Sequence, residues 1–168
     1  SALNADSVFL ILLDEARQEL VGVAQSGRSF NNDGYFRLGL DETSMAVMVF
    51  NAGETYAVSD VQSDPRCSPR MRARFNVKSA LASPLKADGK PIGVLMSISD
   101  RTRHDYSERE ITFIEGFARE VAIALHTHRL NLLRLEAEAR GKEQQEHIQL
   151  LLNSTEEAIF GADTEGTC

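Results

Sequence analysis

The chain has little of what usually announces a function. Only two of its 168 residues are cysteine, Cys67 and Cys168. They sit in dissimilar contexts, so no disulfide framework is predicted and a reducing, cytoplasmic setting is expected. Long apolar runs are missing too. The longest, Val8–Leu13, falls far short of the ~20 residues that cross a bilayer, and no secretory leader is legible, so membrane insertion is not expected. Positive charge is in deficit, with 18 Lys and Arg against 25 Asp and Glu for a net −7, which argues against general nucleic-acid binding. There is no Gly-rich phosphate loop and no serine elbow. The histidines do not converge. His126 and His128 are two residues apart on a helical stretch and face different ways, and Glu143 with His147 offers two ligands at most. Neither a metal, nor a cofactor, nor enzymatic chemistry is predicted.

What is present is an ordinary globular composition, 42% hydrophobic and 26% charged, long enough for one well-buried domain and a remnant. Its charge is segregated. Residues 61–105 carry nine bases and four acids inside an otherwise acidic chain. The organising stretch is Ala80–Ser99, two apolar runs joined by Ala87-Asp88-Gly89-Lys90. Asp-Gly between apolar runs is a strong hairpin signal, because Gly accepts the positive φ of a tight turn. Apolar residues on both faces of Ile92–Ser97 predict a central strand with layers packed either side.

Ser7–Leu13 and Leu20–Ala24 read as a second hairpin, and Tyr35–Leu38 as a short strand. Asp41 or Thr43 could cap a helix starting at Ser44 and ending at Gly53. Tyr56–Val58 is a strand, and Arg70–Phe75 one or two helical turns. From Ser107, a capping box with Glu110, the period changes. Ile111, Ile114, Ala118, Val121, Leu125, His128, Leu132 and Leu135 follow at alternating spacings of three and four, a heptad seam able to meet a second copy of itself. His128 is its one polar member, a register-setting residue. Phe113 and Phe117 lie on the neighbouring stripe, expected under the sheet. The tail reads as a turn at Asn153-Ser154-Thr155 followed by a short apolar segment, Ala158–Ala162.

This order of elements, together with Pro84-Leu85, Asp88-Gly89, Ile92-Gly93-Val94-Leu95, Tyr106 and the final amphipathic helix, resembles the GAF domain. The resemblance implies an α/β (α+β) fold: a central antiparallel sheet of five to six strands, helices on its faces and a long C-terminal helix. It implies a sensory domain over residues 1–132 with its first helix mostly missing. A coiled-coil linker helix over 133–152 would follow. LLLNSTEEAIFGADTEG resembles the opening of a PAS domain, so 153–168 is expected to begin one. That layout belongs to bacterial signalling proteins such as two-component histidine kinases and cyclic-di-GMP enzymes. The expected partners are a second copy through the helix, downstream domains of the same chain, and a small molecule of unknown identity.

Two candidate sites follow. A pocket between sheet and loops would be lined by Phe36, Met48, Asp60, Phe75, Ser79 and Leu81. The segment Asp64–Lys78, with five cations and one thiol, would form a loop over it. There Arg66, Arg70 and Arg74 could attract an anion and Cys67 could act as a redox thiolate; a solvated loop is the simpler alternative. The resemblance also offers exclusions. Ser99-Asp100, Tyr106 and Arg109-Glu110 break the signature of cyclic-nucleotide binders, Cys67 is followed by Ser68 rather than the His of bilin binders, and Ala80 and Ala82 stand where nitric-oxide sensors and free methionine sulfoxide reductases carry cysteine. The expected function is ligand- or partner-dependent signalling through a dimeric helix. A ligand-free spacer and a Cys67 redox sensor are the alternatives.

Overall fold

The computed structural model describes residues 3, 5–27, 36–69, 72–73 and 76–165, with side chains as far as Ser154. Its strands are β1 (Ser7–Asp14), β2 (Glu19–Gly27), β3 (Arg37–Gly39), β4 (Tyr56–Val58), β5 (Ser79–Ala87) and β6 (Lys90–Ser99). They form one antiparallel sheet in the order β3-β2-β1-β6-β5-β4. With helices α1 (Met45–Ala52) and α2 (Glu108–Glu165), this is the α+β architecture the sequence predicts.

The β5–β6 hairpin closes at Ala87 opposite Lys90. Asp88 and Gly89 both take positive φ, 51° and 75°, as a type I′ turn requires. β6 pairs with β1 on one side and β5 on the other, the central place its two apolar faces predict. Those faces bury different things. Ile11, Ala80, Ala82, Val94, Met96 and Ile98 point to a core shared with α1. The alternate residues Leu81, Leu85 and Leu95 are equally buried but face the other way, by the period-two geometry of a strand.

α1 begins at Ser44, whose backbone is extended at φ −153°, and stops at Gly53 in the left-handed region at φ 67°, where the Gly53 N–H donates to Val49 O. The start therefore lies one residue beyond Thr43, and the stop is where the sequence places it. In the loop after β4, Pro69, Arg72 and Ala73 are helical, with the Arg72 N–H donating to Ser68 O at 3.0 Å.

α2 opens with the expected capping box. The Ser107 N–H and hydroxyl both donate to Glu110 Oε2 at 2.9 Å, and the Glu110 N–H donates to Ser107 Oγ at 3.3 Å. His104 Nε2 lies 2.8 Å from Glu110 Oε1. The Ser107 backbone N–H leads the interactions that hold the Glu110 carboxyl down to about 2, with His104 and the Ser107 hydroxyl adding to it. A lowered carboxyl stabilises the fold above its ordinary value of 4.5 and loses that contribution as pH falls through the folded value. Glu110→Ala is expected to cost about 1 kcal/mol at neutral pH. In urea titrations the gap to the parent chain should shrink between pH 4.5 and 2; a gap that stays constant would remove the assignment.

The chain divides into two compact units, Ser1–Ala124 and Leu125–Cys168. α2 supplies the last element of the first and the described part of the second. Residues 153–165 are helical, with no turn at the Asn153-Ser154-Thr155 where the sequence predicts one. The cause is local, since Leu150–Leu152 and Glu156-Glu157 flank Asn-Ser-Thr with good helix formers and no proline interrupts them.

Candidate functional site

Between α1, the loop after β4 and the sheet lies a small cavity of about 20 Å³, lined by Ser44, Met45, Val61, Cys67, Ser68, Val77, Ala80, Met96 and Ile98. It has the room of roughly one water molecule. α1 contributes its first turn and cap. β5 and β6 contribute alternate residues of the α1-side face, where the small Ala80 leaves space. The loop is fastened at both ends. The Val61 N–H donates to Lys78 O at 2.9 Å, and Gln62 Nε2 donates to Val77 O at 3.1 Å.

The loop's described cations are engaged rather than offered to an anion. Arg66 donates through Nε to Asp64 Oδ1 at 2.8 Å and lies over the Tyr56 ring, 4.2 Å from its centroid. Arg72 Nη1 donates to Gln62 O at 3.2 Å, and Lys78 Nζ donates to Asn76 Oδ1 at 3.0 Å. Arg70 and Arg74 lie outside the described residues. Cys67 is 3% exposed. Burial, then the Asp64 charge, push its thiol up to about 11, against the lowered value a redox thiolate needs. Alkylation of Cys67 by iodoacetamide at neutral pH, read by peptide mass spectrometry, is expected to run on the order of 10²-fold slower than that of free cysteine. A rate near that of free cysteine would contradict this placement.

The residues predicted as pocket lining do not converge. Phe36 and Met48 pack on the α1-side core, Phe36 with its ring edge-on to Phe9 at 6.2 Å, and neither borders the cavity. Asp60 turns outward. It accepts from Ser63 Oγ at 2.9 Å and pairs with Arg103 at 3.0 Å, and the Ser63 hydroxyl leads the contacts that lower its pKa. Leu81 and Ser79 are on the opposite face; the Ser79 hydroxyl accepts from Tyr106 OH and donates to Thr102 O, both at 3.4 Å. Phe75 lies outside the described residues. This cavity is bordered by Ala80 rather than Leu81, with Met96 and Ile98 beside it. The one sequence signal for it is that parity, once α1's side of the sheet is known.

The helix seam is divided between two uses. Ile114 and Ala118 are buried with Ala122 under the chain's own sheet, so they are not free for a second copy. Phe113 and Phe117, expected to meet the sheet, are instead 44% and 48% exposed and stack on each other at 6.4 Å. The two stripes exchange roles because alanines let a helix approach a sheet closely while phenylalanines hold it off. Ile111, Val121 and Leu125 are half-buried, and His128, Leu132 and Leu135 are exposed.

Among the described residues no group of three or more His, Cys, Asp or Glu could hold a metal ion, and no helix is long and apolar enough to cross a membrane. The family model for the GAF domain matches residues 1–126. The chain belongs to the GAF family. No curated protein matches it. Solved structures similar to this GAF domain include one from a phosphoenolpyruvate-protein phosphotransferase of Coxiella burnetii, 23% identical with TM-score 0.67, covering 76% of this chain and 75% of that one. Another is a domain of a two-component sensor histidine kinase protein of Sinorhizobium meliloti, 22% identical with TM-score 0.63, covering 79% and 87%. A third is a free methionine-R-sulfoxide reductase of Neisseria meningitidis with its substrate, 21% identical with TM-score 0.64, covering 77% and 72%. At these identities the likeness is one of fold. The same fold therefore occurs in an enzyme, the reductase, as well as in domains of a phosphotransferase and a sensor histidine kinase protein.

Proposed function

We propose that this GAF domain is a sensory input module that takes a small, mainly apolar molecule at the cavity beneath the 59–78 loop and passes the event to α2. The observation that carries the reading is the cavity itself, a mainly apolar space bordered by a loop that is tied at its ends and spans many residues between them. Moving the loop outward would enlarge the space without breaking the sheet. α2 then offers the output. It is continuous from the sheet to His128, Leu132 and Leu135, whose heptad spacing and exposure suit a parallel second copy. A ligand could bias such a helix only by the difference in its affinity for the two arrangements. Downstream kinase or cyclic-di-GMP output domains, a PAS domain after the helix and a cytoplasmic setting belong to the same proposal.

A thermal-shift and native mass-spectrometry screen of the whole chain against small metabolites tests the ligand. A bound species that raises Tm supports the reading, while no species and no shift would favour a ligand-free dimerising spacer. Light scattering tests the output. The chain is expected to be dimeric at micromolar concentration and Leu132→Asp monomeric; association unaffected by that charge would exclude the seam.

A further inference from the structure

We infer that a second ligand site lies on the other face of the sheet, in the cleft between the turn after α1, β5 and the first turns of α2, and that it takes a small zwitterion of the free amino-acid class. The cleft encloses about 430 Å³. Its floor is a hydroxyl pair, Thr55 Oγ1 and Ser83 Oγ at 2.9 Å, with Ser83 2% exposed. Each oxygen keeps unused hydrogen-bonding capacity.

Its walls carry Glu54, Lys86, Glu115 and Arg119. None of the four side chains makes a hydrogen bond or ion pair with another described residue. Glu115 and Arg119 are even four apart on α2, a spacing that commonly pairs. Lys86 passes close to Gly53: its Cε and Nζ lie 3.2 Å from where a Cβ on Gly53 would stand. That puts its ammonium over the C-terminal end of α1, which favours a cation.

Two unspent charges of each sign around two hydroxyls suit a ligand carrying both signs. A carboxylate would sit between Lys86 and Arg119 against the hydroxyls, and an ammonium near Glu54 and Glu115. An inorganic polyanion would meet two carboxylates, and an apolar occupant would desolvate four charges without repayment. Because Glu115 and Arg119 belong to α2 and the rest to β5 and the turn after α1, the occupant bridges sheet and helix. This site stands whether or not the core cavity binds anything.

The test is calorimetry and thermal shift on the whole chain with the twenty free amino acids up to about 10 mM, an affinity range worth a few kcal/mol. N-acetyl and methyl-ester forms of any binder, and inorganic phosphate, serve as comparisons. At least one amino acid is expected to bind saturably. Its affinity should fall about tenfold or more on acetylation, on esterification, and in Lys86→Gln and Arg119→Gln, whose exposed side chains leave the core intact. Three results overturn the assignment: no saturable binding by any amino acid, binding indifferent to both substitutions, or phosphate binding as tightly with the same losses.

Discussion

Ile114→Asp is expected to leave the first unit largely unfolded. Ile114 is completely buried under the sheet with Ala118 and Ala122, and among the described residues no cation lines the groove in which Ile114 lies beside Leu95, Phe113 and Phe117. An unpaired buried carboxylate costs several kcal/mol, out of a total stability of about 5–15 kcal/mol for a domain. The milder Ile114→Ala, which leaves a cavity, should cost about 2–5 kcal/mol. Phe113→Ala, one residue away but on the exposed stripe, should cost less than about 1 kcal/mol. Urea unfolding of the three variants decides the matter. If Phe113→Ala proved as damaging as Ile114→Ala, the stripe that holds the sheet would be misassigned.

Gly93→Ala carries the second large effect. Gly93 lies in β6 opposite Leu12 of β1 and Leu85 of β5, and a Cβ there would stand 2.3 Å from Ile11 O and 2.9 Å from Leu12 Cδ2. The first neighbour is backbone, so relief requires β1 and β6 to separate at the middle of the sheet. A cost of about 3 kcal/mol or more is expected, at the upper end of what overpacking produces. Gly116 and Gly141 in α2 have nothing within 4 Å of the corresponding position. Replacing either with Ala should instead stabilise by about 0.5–1 kcal/mol, since Ala restricts the unfolded chain and favours helix. Opposite signs of the change in thermal midpoint are the check; a neutral Gly93→Ala would mean that the strands pair less tightly there.

Asp88-Gly89 specifies its turn through backbone geometry alone, so the hairpin and the central place of β6 were legible. The capping box at Ser107 and Glu110, and the end of α1 at Gly53, are local for the same reason. Which face of β5 turns toward α1 is not local. Ala80 and Leu81 are both apolar, and their separation into cavity lining and helix bed depends on elements distant in the chain. Sequence alone therefore places Ser79 and Leu81 with Met48, although they lie on the opposite side of the sheet. The helix stripes failed similarly. Hydropathy ranks Phe113 and Phe117 above Ala118 and Ala122, yet close packing rewards the smaller pair. Cys67 among arginines suggested reactivity, but Asp64 and burial, which dominate its chemistry, become visible only once the loop is folded.

The sheet ends in two strands of three residues each, β3 and β4. A longer open edge would present a row of unpaired amides and carbonyls, a template on which another chain could add a strand. Here each of the two edge strands offers only three residues, and β3 carries Arg37, ion-paired to Asp14 and Glu19. Strand addition onto β3 and β4 themselves is thereby discouraged, since neither offers a second chain more than three residues to pair with.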